Sequence, residues 1–138
     1  MPNTTNHKAR KLGKRDLQRV FRLCGFKDGL GEEPANQGEF TYWSNKARDG
    51  LIGDYITFEP IASEPLTHAD NGAFGRIYEA QLDIFSTASF DSKRFTDALE
   101  KLESQLLANG FEIEAWGEDY EPETRLYHQI FIVRKAYF

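Results

Sequence analysis

Apolar and polar positions along this chain follow two different periods. From Arg76 to Thr87, Tyr78, Ala80, Leu82 and Ile84 fall on one side while Glu79, Gln81 and Asp83 fall on the other. That period of two predicts a strand with one buried and one wet face. Over 91–109 the period lengthens. Phe95, Ala98, Leu99, Leu102 and Leu106 make one apolar stripe, opposite Lys93, Asp97, Glu100, Lys101 and Glu103, which predicts an amphipathic helix. Asp91 is its expected N-cap, with Phe90 and Phe95 at the two apolar positions flanking the cap. Gly110, just past Asn109, provides a left-handed stop from which Phe111 packs back on Leu106.

Weaker versions of the same patterns fill out the chain. Leu17, Val20, Phe21 and Cys24 predict a short helix over Lys14–Cys24, with Asp16 near its positive end and Gly25 as its stop. Residues 1–12 show no periodicity and read as a disordered basic arm, which leaves 13–138 as a single domain. Strands are predicted at Glu39–Ser44, Asp54–Glu59, Phe111–Trp116 and Leu126–Tyr137, with an acidic turn over Gly117–Thr124. The run Ile130–Val133 is continuously apolar, as in a central strand covered on both faces. Lys27–Gly38 reads as a loop. Ile61–Gly75, with Pro60 and Pro65 bracketing its start, reads as a long loop that is mobile in the free subunit. Together these elements predict the α+β class: a mainly antiparallel sheet of four to five strands with two helices packed on one face.

Composition sharpens the picture in two ways. The 138 residues include 11 Phe, 6 Tyr and 2 Trp, a surplus of large rigid apolar area that suits protein interfaces as well as cores. Trp43, Tyr55 and Phe85, all on predicted strands, are the candidate interface aromatics, with core burial as the alternative. Charge is also uneven. Lys8, Arg10, Lys11, Lys14, Arg15, Arg19, Arg22 and Lys27 face only Asp16 in the first 27 residues, a balance of +7. The chain as a whole carries −5, so the remaining 111 residues carry −12. A basic segment on an acidic body fits a nucleic-acid-binding module, or an arm that lies on an acidic neighbour through residues such as Arg15 and Arg19.

Candidate chemistry is sparse. One cysteine, Cys24, excludes an intrachain disulfide and reads as a buried inert thiol. His7 falls in the arm, His68 in the long loop beside Asp70, and His128 in the last strand, where it is expected to face water. A zinc site needs three or four ligands, and none converge on His68 and Asp70 in sequence. The carboxylates from Glu112 to Glu123 lack the spacing of a calcium loop. Phosphate-loop, dinucleotide, nucleophile-elbow and zinc-protease motifs are missing, so no catalytic residue, cofactor or metal is expected. No apolar run reaches the roughly 20 residues of a membrane span, and the N-terminus lacks the apolar core of a secretory signal. Synthesis and use in the cytoplasm, or in a particle assembled there, are therefore expected.

The order of several short segments carries a resemblance. His68-Ala69-Asp70-Asn71 precedes the strand Tyr78-Glu79-Ala80-Gln81-Leu82-Asp83-Ile84-Phe85. A helix ending Leu106-Leu107-Ala108-Asn109-Gly110-Phe111 follows, then an acidic turn, then Leu126-Tyr127-His128 and the apolar final strand. Over about residues 54–135 this order resembles the tail terminator proteins of long-tailed bacteriophages, also called tail completion or head–tail joining proteins. The resemblance implies a small α+β subunit that closes into a hexameric ring, caps the tail tube, ends its elongation and meets a head connector or head completion protein. The partners it implies are other copies of the chain, the tail tube protein and the connector, with genome DNA passing through unread. It places the protein in the virion tail and makes the Asp70-Asn71 loop a candidate contact. The basic arm and Lys27–Gly38 have no counterpart in it.

Overall fold

The computed structural model describes residues 4–30, 40–47, 54–65 and 75–138. Along the chain these form α1 (Thr4–Leu23), β1 (Lys27–Asp28), β2 (Thr41–Ser44), β3 (Tyr55–Pro65) and β4 (Arg76–Ser86). After them come α2 (Lys93–Ala108), β5 (Glu112–Glu121) and β6 (Leu126–Tyr137). The strands make one sheet in the order β1-β2-β3-β4-β6-β5. β1, β2 and β3 run parallel to one another, whereas β3–β4, β4–β6 and β6–β5 pair antiparallel. The fold is α+β with a mostly antiparallel mixed sheet. Six strands among the described residues exceed the four to five expected, because the loop predicted from Lys27 contributes the two-residue β1.

Both helices pack on the same face of this sheet. Tyr78, Ala80, Leu82 and Ile84 of β4 are buried against Leu17, Val20 and Phe21 of α1 and Phe95, Ala98, Leu102 and Leu106 of α2 in one cluster. Phe21 is the hub of its aromatic part, with Tyr42 and Phe58 at ring distances of 5.1 and 5.4 Å. Both helices end alike. Gly25 and Gly110 adopt φ of 82° and 87°. Phe26 N–H donates to the Phe21 carbonyl (3.0 Å), and Phe111 N–H donates to the Leu106 carbonyl (2.9 Å). These are paired Schellman closures, and each turns an aromatic residue back into the core.

Several boundaries move, each for an identifiable reason. α1 starts at Thr4, so residues expected as a disordered arm are helical from there on. Contacts inside the molecule hold this part of the helix: Ala9 is buried, and Gly13 lies so close to Tyr78 that an added Cβ would sit 2.2 Å from Tyr78 Cγ. Periodicity is silent here because the buried positions are alanine and glycine. Asp16 is consequently in mid-helix rather than at a positive end. The N-cap of α2 is Ser92, not Asp91, with Ser92 Oγ accepting from Phe95 N–H at 3.3 Å. The Phe90–Phe95 contact still forms, edge to face at 5.3 Å.

β3 runs on through Pro65, so the first five residues of the expected long loop are strand, while residues 66–74 lie outside the described residues. A register shift between Pro60 and Ala62 breaks the alternation at that point. β2 pairs only with Tyr55–Phe58, which leaves one edge of the later residues without a ladder partner among the described residues, so the missing proline N–H costs little there. β5 likewise runs through the expected acidic turn to Glu121. A register shift between Ala115 and Gly117 (φ 146°) hides its continuity in the sequence.

Cys24 is buried at the end of α1, and burial pushes its thiol up to about 12, so at neutral pH it is an unreactive apolar side chain.

Candidate interaction face

With both helices on one side, the period of two directs every other strand residue to the opposite side. The described residues place no helix or strand over that face. Among the described residues, β6 is therefore covered by helices on one face, where cover on both was expected. Phe131 and Val133 enter the core, while Ile130 and Ile132 lie half-buried on the bare side.

Register then assembles an aromatic row across three strands. Tyr55 of β3 is opposite Phe85 of β4, which is opposite His128 of β6. Tyr55 and Phe85 stack at 4.7 Å between ring centroids with 24° between planes, and Phe85 and His128 stack at 4.1 Å with 21°. Continuing the row, Asp119 of β5 is opposite His128.

His128 does not face water as the sequence suggested. Its side chain is 15% exposed, with Nε2 at 2.7 Å from Asp83 Oδ1 and Nδ1 at 3.5 Å from Glu121 Oε1. Gln81 Nε2 donates to the Asp83 carboxylate at 3.1 and 3.2 Å, which fixes that carboxylate beneath the imidazole. Burial, and then the negative charges of Glu121 and Asp83, raise the Tyr55 phenol above its ordinary value. The aromatic row thus lies in a negative field.

The rest of the face is acidic as well. Arg134 is gripped by Glu79 and lies 3.5 Å from Glu114, while Glu59, Glu112 and Asp119 are exposed on the same face. Half-buried rings and isoleucines inside a carboxylate rim form a surface suited to an apolar or cationic partner. Among the described residues, no group of three or more His, Cys, Asp and Glu side chains is arranged to hold a metal ion.

The candidate residues separate clearly. Tyr55 and Phe85 are brought together on the middle strands, near one end of the face. Trp43 is 6% exposed, with its indole N–H donating to Thr41 Oγ1 at 2.9 Å and its ring close enough to Gly29 that an added Cβ would lie 2.2 Å from Cε2. It belongs to the packing of the subunit itself and offers a partner little area. Arg15 and Arg19 are exposed on α1, in the layer opposite the bare face. Asp70 and Asn71, with His68, lie outside the described residues.

Sequence reasoning missed His128, Asp83 and Glu121. Alternation already put Asp83 and Phe85 on one side of β4, but only the β4–β6 register shows that His128 joins them. No protein-family profile and no curated protein matches this chain.

Proposed function

We propose that this chain is a structural subunit of the tail-terminator kind: a protein that assembles with copies of itself into a ring, caps a phage tail tube, ends its elongation and joins the tail to the head. Support comes from the order of segments over residues 54–135 and from one structural observation. The β3–β4–β6 region has a sheet face over which the described residues place no helix or strand, and the Tyr55–Phe85–His128 stack lies across it. Large, partly buried rings on such a sheet face are what a subunit needs to bury further area against a neighbour. Light scattering on the purified chain across a concentration series tests this. A discrete assembly near six copies, visible as rings by negative-stain microscopy, is the expected result; a chain that stays monomeric at high concentration overturns the reading.

A second reading rests on α1. Arg10, Lys11, Lys14, Arg15, Arg19 and Arg22 are all exposed on this helix, which would suit a nucleic-acid-binding module. In that case a monomer shifts a DNA probe, and the affinity falls steeply as salt rises.

A further inference from the structure

The sign of charge changes from one side of the molecule to the other. Seen along its axis at 3.6 residues per turn, α1 buries Gly13, Asp16, Leu17, Val20 and Phe21 on one side. Every exposed ionisable residue from Arg10 to Arg22 is basic, because Asp16, the sole acid of this stretch, points inward to Lys135 and Tyr137. Across the sheet from α1, the opposite face carries exposed Glu59, Glu112 and Asp119 together with its aromatic row, with Arg134 already engaged by Glu79. The two surfaces belong to opposite layers of one sheet, so a subunit cannot bring its own α1 onto its own bare face.

We infer that these surfaces meet between copies: the cationic side of α1 docks on the acidic sheet face, with its aromatic row, of the next subunit. This rests on the ring-subunit reading and names the contact that would build the ring. It commits to a second copy of this chain as the occupant because the complementary charge pattern is present on that copy and helix and face are of matching character. The guanidinium groups of Arg15 and Arg19 meet carboxylates at the rim, and their planar heads can also lie on the rings of Tyr55 and Phe85. Because the two surfaces lie on opposite layers of the subunit, one partner cannot engage both, and the contact is heterologous. It repeats head to tail and closes into a ring, or continues as a filament, according to the angle between the two surfaces, and it cannot give a two-fold dimer.

The test is a charge exchange on the full chain. Arg15→Glu/Arg19→Glu reverses the helix surface, and Glu59→Lys/Asp119→Lys reverses the sheet surface. All four side chains are exposed, and circular dichroism with a thermal melt verifies that each variant folds. Each double variant alone is expected to assemble on the order of tenfold or more weakly than the parent chain at low salt. An equimolar mixture of the two variants restores assembly, because each supplies the surface that complements the other. Two other results overturn the contact. If the parent chain assembles and both reversals assemble equally well, the ring uses other surfaces and the ring-subunit reading stands. If the parent chain is monomeric and binds DNA through Arg15 and Arg19, the ring reading and this contact both fall, and the α1 surface is a polyanion site.

Discussion

Asp16 Oδ2, in the middle of the first helix, accepts a hydrogen bond from Lys135 Nζ on the last strand at 2.8 Å. Tyr137 Oη donates to the same oxygen at 2.6 Å. One carboxylate therefore joins the two ends of the chain. Burial raises the Asp16 pKa, but the hydrogen bonds from Lys135 and Tyr137 and the positive charge of Lys135 and Arg15 outweigh it. The carboxyl sits below its ordinary value of 3.8. A group depressed in the folded state contributes stability that is present above its unfolded value and is lost as pH falls through the folded one. Stability should therefore decline below about pH 4, and Asp16→Asn should cost about 1–3 kcal/mol at neutral pH while flattening that acid limb. Urea melts between pH 2 and 7 measure both effects. An unchanged acid limb in the variant would show that Asp16 is not a source of it.

Gly13→Ala gives a test whose sign is informative. On an isolated helix the change adds about 1 kcal/mol of stability. Here the new Cβ would meet the ring of Tyr78, which is 1% exposed and hemmed in by the core. Overpacking of this kind costs about 1–3 kcal/mol or more, so the net change should be destabilising. A stabilised variant in thermal unfolding would mean that this part of α1 does not dock on Tyr78.

The Asp54–Arg94 pair fixes the start of α2 to the sheet. The Asp54 side chain is 2% exposed, and Arg94 Nε lies 3.0 Å from its Oδ2. That oxygen has no hydrogen-bond donor, so the contact there is one of charge. Oδ1 accepts from Ser86 Oγ at 2.7 Å and Thr87 N–H at 3.2 Å. Arg94→Ala leaves a buried carboxylate without its cation and should cost about 2–4 kcal/mol. In a double-mutant cycle with Asp54→Asn, the two costs should add to more than the double variant loses. Strict additivity would remove the pair from the list of stabilising contacts.

Trp43 and Phe85 should respond in opposite ways. Trp43→Ala opens a cavity beneath Gly29 and should lower unfolding free energy by about 3–5 kcal/mol. Phe85→Ala, on the bare face, should cost the subunit less and the assembly more. Denaturant melts paired with light scattering separate the two effects. The division fails if Trp43→Ala folds normally and only assembly is lost.

Much of this architecture was legible in the residues. Alternation over Arg76–Thr87 placed β4 and its buried side, and the stripe and Gly110 closure placed α2, because both patterns depend on local geometry and neighbouring side chains. Where the patterns stopped, local signals had no access to the cause. α1 buries Ala9 and Gly13, which carry no apolar periodicity, and only the nearness of Tyr78 explains them. The register shifts at Pro60/Ala62 and Ala115/Gly117 concealed how far β3 and β5 run, since one extra residue inverts the sides of all that follow. The candidate face was readable only in part. Sequence named Tyr55 and Phe85, yet their stacking with His128, between Asp83 and Glu121, is set by pairing among strands far apart in the chain. Charge followed the same rule: composition shows a basic start and an acidic remainder, but packing both helices on one side of the sheet is what separates them onto opposite surfaces.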